Sequence, residues 1–396
     1  MSDQLRHDIR PAGMSAADRP RTIATMAVLF AVAALVYSLL PVFLGSAADS
    51  LQLTHQQIGY AGSAYLLGFA GAPILMPLWT QKVDWRRILV LALAVSAGSF
   101  AAASSTSYRA VIGFLALGGV GTGVVYSIST VGLGKATRTE HAFMVGQTVS
   151  MFLAAVLVWT LPTFVIPRYG FTGVLSVFAV VMIAAIGLTP WLPRLSTTDR
   201  PTTTNNGWCG AAVPAVIAMT GFGFFYVGLI GLWSFLERIG HEKSLDAQLV
   251  GQAFSLEKVL VLLACVLIFV QGGRLGHRLP LIIGCMGLVA SILLLSLASS
   301  AAAYLVAVGA FGVFWTYSYP FQMSAIFDTD RQGRYAGAVP AFMGGGSTLG
   351  PTLAGYAVTG NDYTPVYISM GLFCIIGTGL LLVAGRFVPK SQPSTK

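Results

Sequence analysis

Long apolar runs recur along this chain from Thr22 almost to its last residues, and their number restricts it to one class of fold. A bilayer core needs about twenty apolar residues per helix. Counting runs of that kind gives twelve, at 22–45, 56–80, 88–105, 110–131, 142–166, 170–190, 208–236, 248–271, 280–299, 302–326, 338–359 and 364–388. Charged residues make up only 9% of the 396 residues, against about a quarter in a soluble domain, so lipid must cover most of the surface. The expectation is an all-α membrane protein of twelve transmembrane helices. About twenty polar residues with Arg6, Arg10, Arg19 and Arg21 precede the first run, which is too long for a signal-peptide core. That places the start of the chain in the cytoplasm.

The excess positive charge supports this orientation. Of 23 Lys and Arg residues, eighteen fall in the segments that would be cytoplasmic if both ends are inside. Arg109, Arg168, Arg238 and Lys243 lie on the opposite side, as the positive-inside rule expects. The net charge of +9 is thereby assigned to topology, and no nucleic-acid partner is expected. The longest polar break, Pro193 to Gly207, is rich in Thr, Pro and Asn and follows the sixth run. It reads as a flexible linker. The expected organisation is a tail over 1–21, a six-helix bundle over 22–192, the linker over 193–207, a second six-helix bundle over 208–388 and a tail over 389–396.

The two halves repeat one another. Gln57-Ile58-Gly59 matches Leu249-Val250-Gly251, Asp84-Trp85-Arg86-Arg87 matches Leu275-Gly276-His277-Arg278, and Ala103-Ser104-Ser105 matches Ala298-Ser299-Ser300. The offsets are about 192, 191 and 195, which suits a duplicated unit with small insertions. On the first offset Glu257 corresponds to Tyr65, so the charge belongs to one half only.

Twelve runs in a six-plus-six arrangement, with a polar centre and basic turns after runs two and eight, resemble the major facilitator superfamily from about Thr22 to Val388. The family's loop signature, G-x-x-x-D-R-x-G-R-R, is reduced after run two to Arg86 and Arg87 at its end, with Asp84 before them. After run eight, Arg274, Gly276 and Arg278 keep more of it, and Gly273 replaces the acid. The antiporter-type proline motif is absent from run five, while a similar string from Gly346 through Gly350-Pro351 to Gly355 stands in run eleven. The arginine often found in run four is also missing. The resemblance implies two pseudo-symmetric bundles that rock about a central site, carrying a small solute across a bacterial-type inner membrane.

Glu257 and Lys258 are the leading functional candidates because they lie inside run eight. Each charge near a helix centre costs about 2.5–3.5 kcal/mol on insertion scales. Adjacent helix residues point about 100° apart, so separate partners are expected for the two. In the functional reading Glu257 binds and releases a proton and Lys258 attracts an anionic group. In the competing one an interhelical salt bridge or hydrogen bond fixes run eight.

In the resembling family, runs one, four, seven and ten line the cavity. That implicates Tyr37, Tyr126, Tyr226, Trp233, Trp315, Tyr317, Tyr319 and Gln322 as walls for an aromatic, amphipathic or anionic organic solute, against a plain packing role. Gly346, Gly350, Pro351 and Gly355 suit close helix contact, or a hinge. Asp328, Asp330 and Arg334 follow run ten, where the acids could pair with Arg274 or Arg278 as a cytoplasmic gate.

The five histidines lie in the tail or the connections, the four cysteines have no C-x-x-C spacing, and no phosphate-binding G-x-x-x-x-G-K-[ST] occurs. No enzyme activity, metal or cofactor is expected, and transport would draw on a gradient. The preferred reading is a monomeric, proton-coupled secondary transporter. The alternatives are an uptake symporter or facilitator for a small carboxylate-type metabolite, and a non-transporting membrane sensor.

Overall fold

The computed structural model describes residues 19–79, 84–104, 107–136, 139–192, 213–271, 278–329 and 338–387. They form thirteen α-helices. The first bundle comprises α1 (Pro20–Ser38), α2 (Leu40–Leu51), α3 (His55–Trp79), α4 (Trp85–Ala103), α5 (Tyr108–Gly134), α6 (Thr139–Thr160) and α7 (Ile166–Ile186). The second comprises α8 (Val213–Glu242), α9 (Ala247–Gln271), α10 (Arg278–Leu297), α11 (Ala301–Thr329), α12 (Val339–Ala357) and α13 (Thr364–Ala384). The expected linker over 193–207, the tail over 389–396 and residues 1–18 of the tail over 1–21 fall outside the described residues, while Pro20 and Arg21 already belong to α1.

Thirteen helices make twelve spans. The first span is broken at Leu39, whose φ of -103° and ψ of 12° leave the helical region two residues before Pro41. A proline there has no N–H for the preceding turn, so α1 and α2 follow one another as two pieces of a single crossing. Among the described residues ten segments are long and apolar enough to cross a membrane, and one of them, His141–Trp191, has 51 residues. A straight helix of that length would reach about 77 Å, more than twice a bilayer core. The chain instead turns back at Gly170, with φ 54° and ψ -145°, a conformation open to glycine and strained for any other residue. The Ser50 hydroxyl accepts from Phe171 N at 3.0 Å just beyond the turn. Spans five and six thus come from one segment, and the glycine-rich α12, the eleventh span, brings the number to twelve.

The packing repeats between halves. In the first half α3 and α4 both pack on α5, α4 packs on α7, and α1 packs on α5 and α6. In the second, α9 and α10 pack on α11, α10 packs on α13, and α8 packs on α11 and α12. Between halves, α12 against α3 mirrors α6 against α9. Each of these pairs has a counterpart related by the six-span repeat. Large apolar side chains such as Leu91, Phe152, Val180, Ile183, Met286 and Leu293 are exposed on the outside. Such a belt is stable facing acyl chains, where the association of helices depends on close packing and small residues.

Small residues bring α12 against both halves. A Cβ on Gly346 or Gly350 would run into the backbone of Gly223, Val227 or Gly231 on α8. Gly355 lies equally close to His55 of α3, and Pro351 fills the space left by Gly59 and Gly62.

Candidate functional site

A cavity of about 460 Å³ lies between the halves. Its walls are drawn from α1, α3, α5, α6, α8, α9, α11 and α12. Tyr37, Tyr126, Tyr226, Trp233, Trp315 and Tyr319 all line it, as do Glu257 and Lys258. Their rings make a connected belt. Tyr37 stacks with Phe69 at 5.9 Å, Phe69 lies 5.3 Å from Tyr126, and Trp315 stands edge-on to Trp233 at 5.8 Å and to Tyr37 at 6.3 Å.

Most of the lining residues sit at the middle of the spans or between there and the face that carries Pro20. Examples are Phe69 on the latter half of α3, Gln147 near the start of α6, Ile268 near the end of α9 and Met343 at the start of α12. Tyr319 is 41% exposed at the mouth. The cavity therefore opens toward the Pro20 face.

The opposite face, carrying Leu51, is closed by contacts between the halves. Arg238 of α8 reaches Asp49 of α2 at 2.7 Å and donates to the Gly45 carbonyl at 2.7 Å. Glu237 is held by Arg238 at 2.8 Å and His241 at 2.9 Å. Asp49, Glu237 and His241 are grouped closely enough to share a cation, but the Arg238 guanidinium already supplies positive charge to the group. Ser63 of α3 hydrogen-bonds Thr352 of α12 at 2.8 Å, and Tyr60 meets Tyr356 beside it. On the other side of the molecule, the Ser255 hydroxyl of α9 donates to the Ala155 carbonyl of α6 at 3.0 Å.

Glu257 and Lys258 pair with each other, contrary to the expectation of separate partners. Lys258 Nζ lies 2.8 Å from Glu257 Oε2, and both residues are buried, at 4% and 1% exposure. The helical angle separates the Cβ directions, but a four-carbon lysine stem is long enough to fold back along the helix surface. Lys258 Nζ also stands over the Trp233 ring, 4.6 Å from its centroid. A desolvated cation–π contact contributes about 2 kcal/mol. The Glu257 carboxylate packs on Gly312 of α11, where a Cβ would occupy its position. In the other half Tyr65 plays the equivalent part on α3, facing α5 and bonded to Thr122 Oγ1 at 3.0 Å.

Two expected wall residues do not line the cavity. Tyr317 packs its ring against Phe321 at 5.2 Å. Gln322 is fully buried and turns its Nε2 back to Ser318 Oγ at 3.3 Å, on the side of α11 packed against Gly284 of α10. Helix rotation places both away from the opening that Trp315, Thr316 and Tyr319 share.

Sequence reading also missed Gln147, Ser150 and Met151, which α6 contributes to the wall. Their spacing of i, i+3 and i+4 marks one helical face. Gln147 and Ser150 within an apolar run were the available signal, one hidden by assigning the walls to spans one, four, seven and ten. Ser38 and Thr316 are the further polar lining residues.

At the Pro20 face the basic turns act as clamps. Asp84 caps α4 by accepting from Arg86 N at 3.0 Å, and the Arg86 guanidinium bonds the Leu192 carbonyl after the sixth span. Arg278 donates in the same way to the Gly385 carbonyl after the twelfth, at 2.6 Å. The pseudo-symmetric partner of Arg278 is therefore Arg86, at an offset of 192, and the alignment with Arg87 is corrected by one residue. Arg87 is exposed and Asp328 is half-buried near the end of α11. Arg274, Gly276, Asp330 and Arg334 lie outside the described residues.

Two pseudo-symmetric helical bundles enclosing a central cavity, open at one face and closed at the other, define a membrane transporter. The sequence model of the Major Facilitator Superfamily matches residues 26–329, and the chain belongs to that superfamily. Among solved structures it is similar to a mutant of the nucleoside transporter NupG, at TM-score 0.75 and 13% identity, covering 92% of this chain and 99% of that one. The inward-open xylose transporter XylE from E. coli is similar at TM-score 0.73 and 14% identity, covering 95% and 97%. A bacterial homologue of the human lysosomal transporter Spinster, inward-facing and unoccupied, follows at TM-score 0.66 and 14% identity, covering 95% and 100%. No curated protein matches the sequence. At these identities the likeness carries the fold and leaves the solute to the site.

Proposed function

We propose that the protein is a proton-coupled secondary transporter that carries a small organic solute by alternating access, with Glu257 as the proton site. It lies in a bacterial-type inner membrane as a monomer with both termini cytoplasmic. The Pro20 face is then the cytoplasmic one and the conformation is inward-open, the state in which the XylE and Spinster-homologue structures were solved.

One observation carries the reading: the buried Glu257–Lys258 pair on the wall of an aromatic cavity whose other described lining residues are uncharged. Burying two charges is costly where packing alone would serve, because replacing such a pair by apolar residues is often neutral or stabilising. Ionisable groups kept inside a membrane face a cavity or a pathway as a rule. Aromatic walls with a few hydroxyls suit a flat organic body.

The test uses protein in liposomes under an imposed pH gradient. Glu257→Gln should lose gradient-driven accumulation by about tenfold or more, the equivalent of one pKa unit of coupling, while solute exchange without a gradient continues. Full gradient-driven accumulation by Glu257→Gln would remove Glu257 from the coupling role.

A further inference from the structure

Charges at the cavity wall are few. Among the described residues, Glu257 and Lys258 are the two charged residues that line it. Among the described residues, the other titratable groups facing the cavity are Tyr37 on α1, Tyr126 on α5, Tyr226 on α8, Tyr319 on α11 and the free thiol of Cys265 on α9, an ordinarily uncharged group at neutral pH. From α6 come Gln147 and Ser150. Tyrosine is uncharged near neutral pH, so the empty site, with its pair ionised, has no net charge.

The two members of the pair are not equivalent when separated. Lys258 keeps a second stabilising contact, the face of Trp233 at 4.6 Å, and its ammonium remains suited to an anion. Glu257 keeps nothing of the kind. Its carboxylate lies against Gly312, and its ionic contact is with Lys258 at 2.8 Å. A buried carboxylate without a donor becomes neutral by taking up a proton. The reverse exchange, a cationic solute on Glu257 and a deprotonated Lys258, would forfeit the cation–π contact. Buried hydroxyl oxygens of Tyr37 and Ser347 also lack a hydrogen bond of normal geometry, and Tyr37 is on the cavity wall.

We infer that the cargo is a planar organic monoanion that docks on Lys258 while Glu257 takes up one proton from the open face. The bonding balance is simple. The Glu257–Lys258 ion pair is exchanged for a solute–Lys258 ion pair, and one O–H bond forms on Glu257 with a proton from water. Site charge is zero before and after loading, so the halves reorient around an uncharged centre in both cases. One anion and one proton cross together, and the cycle moves no net charge. The inference rests on the transporter reading above and deepens it by fixing the charge class of the solute and the stoichiometry.

The test is calorimetric titration of purified protein with matched probes: benzoate and indole-3-acetate, their primary amides, and benzylamine and tryptamine. Repeating each titration in two buffers of different ionisation enthalpy gives the protons taken up. At least one carboxylate should bind with about one proton taken up, its affinity falling about tenfold per pH unit above the Glu257 titration, the slope for one linked proton. Glu257→Gln should bind the carboxylate without proton uptake. Lys258→Arg should bind it and Lys258→Ala should not.

Because Lys258→Ala leaves a buried carboxylate unpaired, Glu257→Gln combined with Lys258→Ala serves as the folded control and should also fail to bind. In liposomes the initial rate of carboxylate uptake should follow the pH gradient and be unchanged when valinomycin sets the membrane potential. Binding by none of the carboxylates, equal binding of an amide or amine, zero proton uptake, or a rate that changes with potential each overturns the inference. A neutral or cationic solute carried by the pH gradient would overturn the anion assignment and leave proton-coupled transport standing. Anion binding with proton uptake and no flux would overturn the transport reading and the joint crossing of anion and proton, and leave the anion site on Lys258 standing.

Discussion

Glu257 shows how far a single residue can be read from a sequence of this kind. Its presence inside an apolar run is visible in the chain, and so is the absence of an acid at Tyr65 in the other half. Its partner is not visible, because the angle between adjacent residues argues against the contact that the length of the lysine stem permits. Gly312 has no sequence signature either, yet it makes the space for the carboxylate. Gly312→Ala should push Glu257 out of this position and weaken its pairing. The expected result is loss of gradient-driven transport together with a lower Tm in detergent. Removing one partner of a buried pair costs about 3–5 kcal/mol, so Lys258→Ala should lower Tm more than the double substitution that removes both charges. Equal Tm values for the two variants would show that the pair is not holding α9.

At the scale of the element, α12 is the helix whose role the sequence signals best. Gly346, Gly350, Pro351 and Gly355 announce close contact, and the structure divides them between two neighbours: α8 for the first two, α3 for the others. A Cβ on Gly350 would lie 2.7 Å from both Gly231 N and Val227 O. Backbone atoms cannot move aside as a side chain can. Gly350→Leu should therefore separate α12 from α8 and reduce the yield of folded protein, with a loss of several kcal/mol typical of overpacking between rigid elements. Size-exclusion profiles and Tm would measure it, and a wild-type profile would show that this contact is loose. The same small residues kept α12 from qualifying as an apolar span by composition alone. Its tight packing compensates for low hydrophobicity.

For the whole molecule, the closed face is a set of contacts between halves that alternating access must break. Ser63 and Thr352 join α3 to α12 on one flank of it, with their hydroxyl oxygens 2.8 Å apart. A Ser63→Cys/Thr352→Cys variant should form a disulfide under oxidant, hold the cavity open to the Pro20 face and stop transport, with activity restored by reductant. The single-cysteine variants should not respond. Continued transport in the fully cross-linked protein would show that this face need not open. The asymmetry of the seal has a local cause: Arg238 links Asp49 and Gly45 where α2 continues beyond the break at Leu39.

Twelve spans were legible because each must present about twenty apolar residues to lipid, a requirement written locally in the chain. The duplication was legible for the same reason, as was the isolated pair in span eight. The aromatic walls were half legible. Helical periodicity says which residues share a face, but the rotation of α11 about its axis follows from its packing on α9 and α10, and it turned Tyr317 and Gln322 away; Gln147 and Ser150 reach the wall from α6. Which face is sealed, which arginine repeats which, and what neutralises Lys258 depended on atoms brought together from distant parts of the chain or folded back along a single helix. Only the tertiary structure decided these, because contact energies act over a few ångströms in space and leave no periodic mark on the sequence.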